Sequence, residues 1–275
     1  MSQTSFRYTR PSDRITAGSW TVATGTARTG YPVTNLDNGD PSDPFWANET
    51  TVRVTRDFGT ATRVDEVYIF GHNLDTSALH VQMNASNSWG GPTVDLTASI
   101  PTAHLDCIPY AIRVDLAAAV SVANRTKQFL SIVNQSANSV SIAMGEVYMV
   151  GTQRELGRHV RYGFSQPRNR IVVSKPSKRG VSTRYDLGTV ERKLIASIPG
   201  NDVDYLDLLK LEEDGKSGLL PFVVVLAPHS PTVRWSEPLM VRQAAPISDA
   251  PYDHPAVFPV NFILDVLGEG ELVSV

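Results

Sequence analysis

Thr51-Val52-Arg53-Val54-Thr55-Arg56-Asp57-Phe58-Gly59 and, a few residues on, Val64-Asp65-Glu66-Val67-Tyr68-Ile69-Phe70-Gly71-His72-Asn73 are the stretches whose reading decides the fold. In the first, Val52 and Val54 alternate with Arg53 and Thr55, the period of two that turns one face of a strand to a core. The second concentrates β-branched and aromatic side chains at Val64, Val67, Tyr68, Ile69 and Phe70 and reads as a strong strand. Asp57-Phe58-Gly59 is expected to close the first strand in a turn before the second begins.

Outward from this pair the pattern repeats. Short strand-like runs fall at residues 79–83, 111–116, 129–133, 140–143 and 146–150. Turn signals at Asn38-Gly39, Gly71–Asn73, Gly90-Gly91-Pro92 and residues 134–139 separate them. Many short strands at this spacing, in a chain with 18 prolines and 19 glycines, predict a sandwich or barrel in place of alternating β-α units. The length of 275 residues suits two domains. A composition change after Gly151 places the boundary: residues 1–153 form a β-sandwich with an extended N-terminal arm, and 154–275 a second β-rich domain.

The second segment is expected to hold strands at 169–174, 182–187, 191–197, 221–226 and 258–267, and one short α-helix near residues 202–213. Asn201 or Asp202 caps that helix, Val203, Leu206 and Leu209 with Tyr205 and Leu208 form its apolar stripe, and Gly215 ends it. From Arg154 to Lys193 eleven Lys and Arg stand against three acidic residues, and from Leu194 onward four stand against twelve. Two readings of this polarity stay open. Either the charges are solvated faces of one domain, or a basic face on one subunit meets an acidic face on the next and sets register in a ring or stack. Residues 228–259 carry seven prolines with His229, Trp235, Tyr252 and His254 and little periodicity, which favours an interaction loop. The candidate assembly surface is therefore Arg158, Arg161, Arg168, Arg170, Lys178 and Arg179 with Trp235 and Tyr252.

The whole-chain numbers exclude several classes. A net charge of −3 gives no electrostatic reason to bind nucleic acid or anionic lipid. The basic stretch from Arg158 to Arg184, with Tyr162 and Phe164 interleaved, has no recognition helix to read DNA, and alternation splits its side chains between two faces. The single cysteine, Cys107, lies in the apolar run Leu105-Asp106-Cys107-Ile108 and reads as a buried small hydrophobe. Met1 to Arg14 is polar and lacks the apolar core of a signal peptide, and no stretch approaches the roughly 20 apolar residues of a membrane span. A soluble, non-exported protein without membrane insertion is expected.

Catalytic patterns are absent: no nucleophile elbow, no phosphate-binding glycine loop, no His-Glu-x-x-His. The six histidines, His72, His80, His104, His159, His229 and His254, show no metal-ligand spacing, though His72 and His80 could approach across a hairpin. In Asn35-Leu36-Asp37-Asn38-Gly39-Asp40-Pro41-Ser42-Asp43 the acidic residues read first as turn chemistry; a structural Ca²⁺ held by Asp37, Asp40 and backbone carbonyls is the alternative. No enzyme activity, cofactor or metal is expected.

The N-terminal segment resembles galactose-binding-like (discoidin-type) β-sandwiches over about residues 20–151. The resemblance rests on the Asp37-Asn38-Gly39 turn before Trp46, on Asp57-Phe58-Gly59 standing where that family has Asp-Leu-Gly, and on the strand 64–70 ending Gly71-His72-Asn73-Leu74. It implies a jelly-roll sandwich with Trp46 and Phe58 as core aromatics. Many such domains bind sugars through loops, and Trp89 in Asn84-Ala85-Ser86-Asn87-Ser88-Trp89-Gly90-Gly91 is the residue that could stack on a sugar ring, with Asn87 beside it; the plainer reading is that Trp89 plugs the sandwich end. The C-terminal layout is similar to tail proteins of long-tailed bacteriophages, of the distal-tail or tail-tip class. It has a helix at 202–211, the turn Asp214-Gly215-Lys216-Ser217-Gly218, Pro221-Phe222-Val223-Val224-Val225 and a closing strand at 261–266. That resemblance implies a virion structural subunit, assembled in the host cytoplasm into a homo-oligomeric ring with other tail proteins. A carbohydrate-binding module for host-surface glycan is the alternative.

Overall fold

The structure, a computed structural model, describes residues 6–74, 79–98, 111–138, 140–156, 168–176, 182–200, 202–216, 218–225, 238–245, 248–249 and 258–267. The chain is mostly β. Its strands are β1 (Phe6–Tyr8), β2 (Ser19–Thr24), β3 (Phe45–Trp46), β4 (Arg53–Arg63), β5 (Glu66–Phe70), β6 (Leu79–Asn84), β7 (Val94–Ala98), β8 (Ile112–Asp115) and β9 (Thr126–Asn134). After these come β10 (Ala143–Met144), β11 (Glu146–Val150), β12 (Arg154–Leu156), β13 (Arg168–Pro176), β14 (Ser182–Gly200), β15 (Phe222–Val225), β16 (Pro238–Gln243), β17 (Ser248–Asp249) and β18 (Phe258–Val266). A one-turn helix, α1 (Leu116–Ala119), follows β8, and α2 (Asp202–Asp214) follows β14.

Two antiparallel sheets make the N-terminal β-sandwich. One has five strands in the order β2-β4-β9-β6-β7, the other three in the order β11-β5-β8. Val54, Val81, Met83, Leu130 and Ile132 from the first meet Val67, Ile69, Ile112, Val114, Val147 and Met149 from the second in one core. Alternation produces this: every second residue of each strand points inward.

A third sheet explains why β5 and β11 are apolar almost throughout. All five residues of each are buried. Val67 and Ile69 face the sandwich core, while Tyr68, Phe70, Tyr148 and Val150 face the other way, against Val223, Val225 and Met240. Those three belong to an eight-stranded sheet in the order β12-β1-β15-β16-β18-β14-β13, with β17 on β18. Its far face packs Phe6, Tyr8, Phe222, Val224, Leu239 and Val241 on Leu208 and Leu211 of α2. The layers therefore run five-stranded sheet, three-stranded sheet, eight-stranded sheet, helix.

The N-terminal strand lies inside the third sheet. β1 pairs with β12 on one side and β15 on the other, and the backbone then returns to the sandwich where Ile15 N–H donates to the Met149 carbonyl at 2.9 Å.

Several expectations are corrected. No reversal occurs at Asp57–Gly59; β4 runs through it. Pairing with β9 passes from Asp57↔Phe129 to Thr62↔Lys127 across an irregularity. Gly59 has φ +74° and its N–H donates to Asp57 Oδ1 at 2.8 Å, so the turn chemistry makes a bulge instead of a hairpin. The runs at 182–187 and 191–197 are one 19-residue strand, β14. Of the run 140–143 only Ala143 is in a strand, paired with Trp46. Phe58 is in the core, but Trp46 is half-buried, edge-on to Tyr31 at 5.5 Å and under the Arg28 guanidinium; Trp20 is the indole that joins the core. On α2 the buried leucines are Leu208 and Leu211, whereas Leu206 is 58% exposed. Among the described residues no helix is long and apolar enough to cross a membrane.

Candidate functional site

The outer face of the five-stranded sheet carries a row of polar side chains fixed by register. Thr55 pairs with Ser131, Ser131 with Gln82, and Gln82 with Asp95. The next outward row holds Arg53, Val133, His80 and Thr97. These residues alternate with core-facing Val54, Ile132 and Val81, so they project away from the core by the strand's own period.

Residues 85–93 fold back over this face. Asn84 holds the loop at both ends: its Nδ2 donates to the Ser88 carbonyl at 2.7 Å, and its Oδ1 accepts from Ala85 N–H at 3.0 Å and Thr93 Oγ1 at 3.1 Å. Trp89 is half-buried, and its Nε1–H donates to Asn87 Oδ1 at 2.9 Å. The Arg53 guanidinium lies against the indole, 5.4 Å from the ring centroid, a cation–π distance. From the same group Nη1 donates to Gln82 Oε1 at 2.7 Å and Ser131 Oγ at 2.9 Å. Gln82 Nε2 donates to Asp95 Oδ2 at 3.0 Å, and His80 Nδ1 lies 2.6 Å from Asp95 Oδ1. Ser131 and Gln82 are buried although they face away from the core, because Arg53 lies over them and Trp89 lies on Arg53. Burial lowers the Arg53 pKa, and Asp95 opposes the shift.

Asn87 thus orients the Trp89 indole. Arg53, Gln82, Asp95 and His80 complete the group. Their only signal in the sequence is alternation, since they come from three strands whose pairing is non-local. Trp89 is not part of the sandwich core.

The Asp37–Asp43 loop has turn chemistry. Asp40 Oδ1 accepts from Ser42 N–H at 2.9 Å and Ser42 Oγ at 2.6 Å, and Asp40 N–H donates to Asn38 Oδ1 at 2.7 Å. Asp37 Oδ2 accepts from Arg56 Nη1 at 2.7 Å, so a buried guanidinium already stands where a cation was envisaged. Among the described residues no three His, Cys, Asp or Glu side chains are grouped to hold a metal ion. His72 is buried after β5, whereas His80 lies on the outer sheet face with Asp95.

Other clustered charges lie between the layers. Glu66 is fully buried and meets Arg7 at 2.5 Å, Arg113 at 2.9 Å and the Tyr68 hydroxyl at 2.5 Å. Arg7 also reaches Asp115 at 3.1 Å and Glu155 at 2.8 Å. Glu146 accepts from Arg14 at 2.5 Å and from Gly39 N–H at 2.8 Å. Burial pushes both carboxyls up to about 7, against the pull of Arg7 on Glu66 and of Arg14 on Glu146. Arg10 and Tyr8 bond Asp207 of α2, and Arg154 bonds Asp13 at 2.5 Å. These groups fasten the N-terminal segment to three layers.

Of the expected assembly residues, Arg158, Arg161, Lys178, Arg179, Trp235 and Tyr252 lie outside the described residues, as do Cys107, His104, His159, His229 and His254. Arg168 and Arg170 are in β13, the edge strand of the eight-stranded sheet, opposite Arg192 and Val190.

No known sequence family matches the chain, and no curated protein does. Among solved structures it is similar to the CBM32 of AlyQ in complex with 4,5-unsaturated mannuronic acid. That match has 14% identity and a TM-score of 0.37, over 50% of this chain and 98% of that one. A second is the lectin domain of lectinolysin complexed with Lewis B antigen, at 10% identity and TM-score 0.36, over 49% and 93%. A third is CBM32-1 from a family 31 glycoside hydrolase from Clostridium perfringens, at 11% identity and TM-score 0.37, over 50% and 96%.

Proposed function

We propose that this chain is a non-catalytic glycan-binding protein that takes its ligand at Trp89. The observation that carries the reading is the oriented indole, fixed by Asn87 and flanked by Arg53, Gln82, Asp95 and His80 on a partly open sheet face. A pyranose ring has an apolar C–H face and a rim of hydroxyls. An aromatic plane serves the first, and planar donors and acceptors held by neighbours serve the second. Binding to a glycan array, followed by calorimetric titration of the hits, tests it. Trp89→Ala is expected to abolish binding while leaving the melting temperature within a few degrees; undiminished binding by that variant would sink the reading.

A second reading concerns where such a module works: a virion tail subunit that assembles into a ring with its own copies and other tail proteins. The long β13–β14 hairpin favours it. It ends the eight-stranded sheet with an edge strand and places Arg168, Arg170 and Lys175 across from the strand bearing Arg184, Arg192 and Lys193. An edge strand with one sign of charge suits a neighbour of the other sign, and the chain from Leu194 on is acidic. Sedimentation and electron microscopy at rising concentration are expected to show salt-sensitive rings. A monomer at every concentration overturns this second reading and leaves the first intact.

A further inference from the structure

We infer that the saccharide bound at Trp89 is an acidic one, its carboxylate received by Arg53; the inference rests on the glycan-binding reading. Arg53 shares with the exposed Arg28, which lies over Trp46, the absence of a carboxylate partner among the described residues, and differs in this from eight other arginines. Arg7, Arg10, Arg14, Arg56, Arg63, Arg113, Arg125 and Arg154 each make an ion pair with an Asp or Glu carboxylate. Arg53 makes none among the described residues. Its two hydrogen bonds go to a neutral amide and a neutral hydroxyl, and both leave from Nη1. Nε and Nη2, the edge that matches a carboxylate with two parallel N–H···O bonds, have no partner among the described residues.

The cation is also partly desolvated. It is half-buried between the indole of Trp89 and the row of Gln82 and Ser131. A guanidinium held there without a counter-ion is worse off than in water, so an arriving anion recovers more than it would at a fully solvated arginine. The acidic group whose charge reaches Arg53 is Asp95, but its two oxygens are engaged, one by His80 Nδ1 and the other by Gln82 Nε2. Asp95 thereby holds Gln82 in place and leaves the Arg53 edge open. Trp89 and Arg53 are in contact, so an acidic oligosaccharide with one ring against the indole brings a carboxylate of that ring or its neighbour within reach of Arg53.

The test compares a uronic-acid oligosaccharide with the same oligosaccharide after carboxyl reduction, by titration calorimetry and amide NMR. The full-length protein is used with its Arg53→Gln, Arg53→Lys and Trp89→Ala variants, each checked for a native spectrum. The acidic chain is expected to bind about tenfold tighter than the reduced one at low salt, the scale of one charge-assisted pair. Arg53→Gln should erase that preference, Arg53→Lys should keep part of it, and Trp89→Ala should weaken both ligands. Equal binding of the two ligands, with Arg53→Gln weakening both alike, overturns the inference and leaves the glycan reading standing. If neither these ligands nor any glycan on an array binds, the glycan reading falls and takes the inference with it.

Discussion

Buried and exposed arginines have unequal weight in this protein. Arg7 is 4% exposed and touches three carboxylates, two of them in the sandwich and one on β12. Removing its guanidinium leaves Glu66 buried with one cation fewer. Arg7→Ala is therefore expected to destabilise by about 3 kcal/mol or more. Arg63 has a side chain 46% exposed, and its partner Asp65 keeps Arg125 at 2.7 Å; Arg63→Ala should cost no more than about 1 kcal/mol. Urea denaturation of both variants reads the difference, and equal losses would refute it. The same buried site sets a pH dependence. Glu66 and Glu146 titrate near 7 in the folded protein against an ordinary 4.5, so the native state binds more protons than the unfolded one across that interval. Stability from these groups is full below about pH 4.5 and is lost as pH rises through 7. The urea midpoint is expected to fall between pH 5 and pH 8, with a flatter profile in the Glu66→Gln/Glu146→Gln double variant. None of this was legible in the sequence, where Glu66 stands in a strand of apolar residues and its arginine lies 59 positions away.

Loops rest on strands at places where only hydrogen fits. Gly145 lies between β10 and β11, and a Cβ there would stand 2.0 Å from the Pro41 carbonyl oxygen. At Gly71, with φ +58°, a Cβ would stand 2.3 Å from the same oxygen. The Asp37–Asp43 loop is thus seated on two glycines, and its Asp37 in turn reaches Arg56. Gly145→Ala is expected to lift that loop and cost about 2–4 kcal/mol, with amide exchange accelerating at Gly39 and Asp40. A melting temperature unchanged from wild type would show that the loop yields freely. At this scale the sequence was informative where side chains alternate or cluster: β5, β6, β8, β9, β11 and β18 follow their apolar runs. It was silent for β1, β2 and β12, whose short or polar sequences become strands through their neighbours, and it misread residues 238–243, expected within an interaction loop but found as β16 between β15 and β18. Phe6-Arg7-Tyr8 carries no strand signal of its own, yet β12 and β15 flank it on both sides. The candidate face was half legible for the same reason. Trp89 announces itself in a Gly- and Asn-rich loop, whereas Arg53 looks like any outward residue until β6 and β9 are laid beside it.

The arrangement of layers makes the two β-rich parts depend on each other. A free-standing sandwich would turn polar side chains outward from both sheets. Here the outer face of the three-stranded sheet carries Tyr68, Phe70, Tyr148 and Val150, all buried against Val223, Val225 and Met240. Each such side chain contributes about 1.5–3 kcal/mol when removed from water, and Arg7 pairs with Glu66 and Asp115 across the same junction. The full chain should therefore unfold in one transition, with calorimetric and van't Hoff enthalpies in agreement. Excising residues 16–151 should expose an aromatic face together with two carboxylates, Glu66 and Glu146, whose arginines at positions 7 and 14 have been removed. That fragment is expected to bind hydrophobic dye and to self-associate, and full-length protein should do neither at the same concentration. A monomeric fragment that binds no dye and melts where the intact chain melts would mean that the junction is a contact between two independent domains. The five-stranded sheet would then be joined to the rest of the molecule by a hinge, where the buried junction of Tyr68, Phe70, Tyr148 and Val150 with Val223, Val225 and Met240 makes a packed connection.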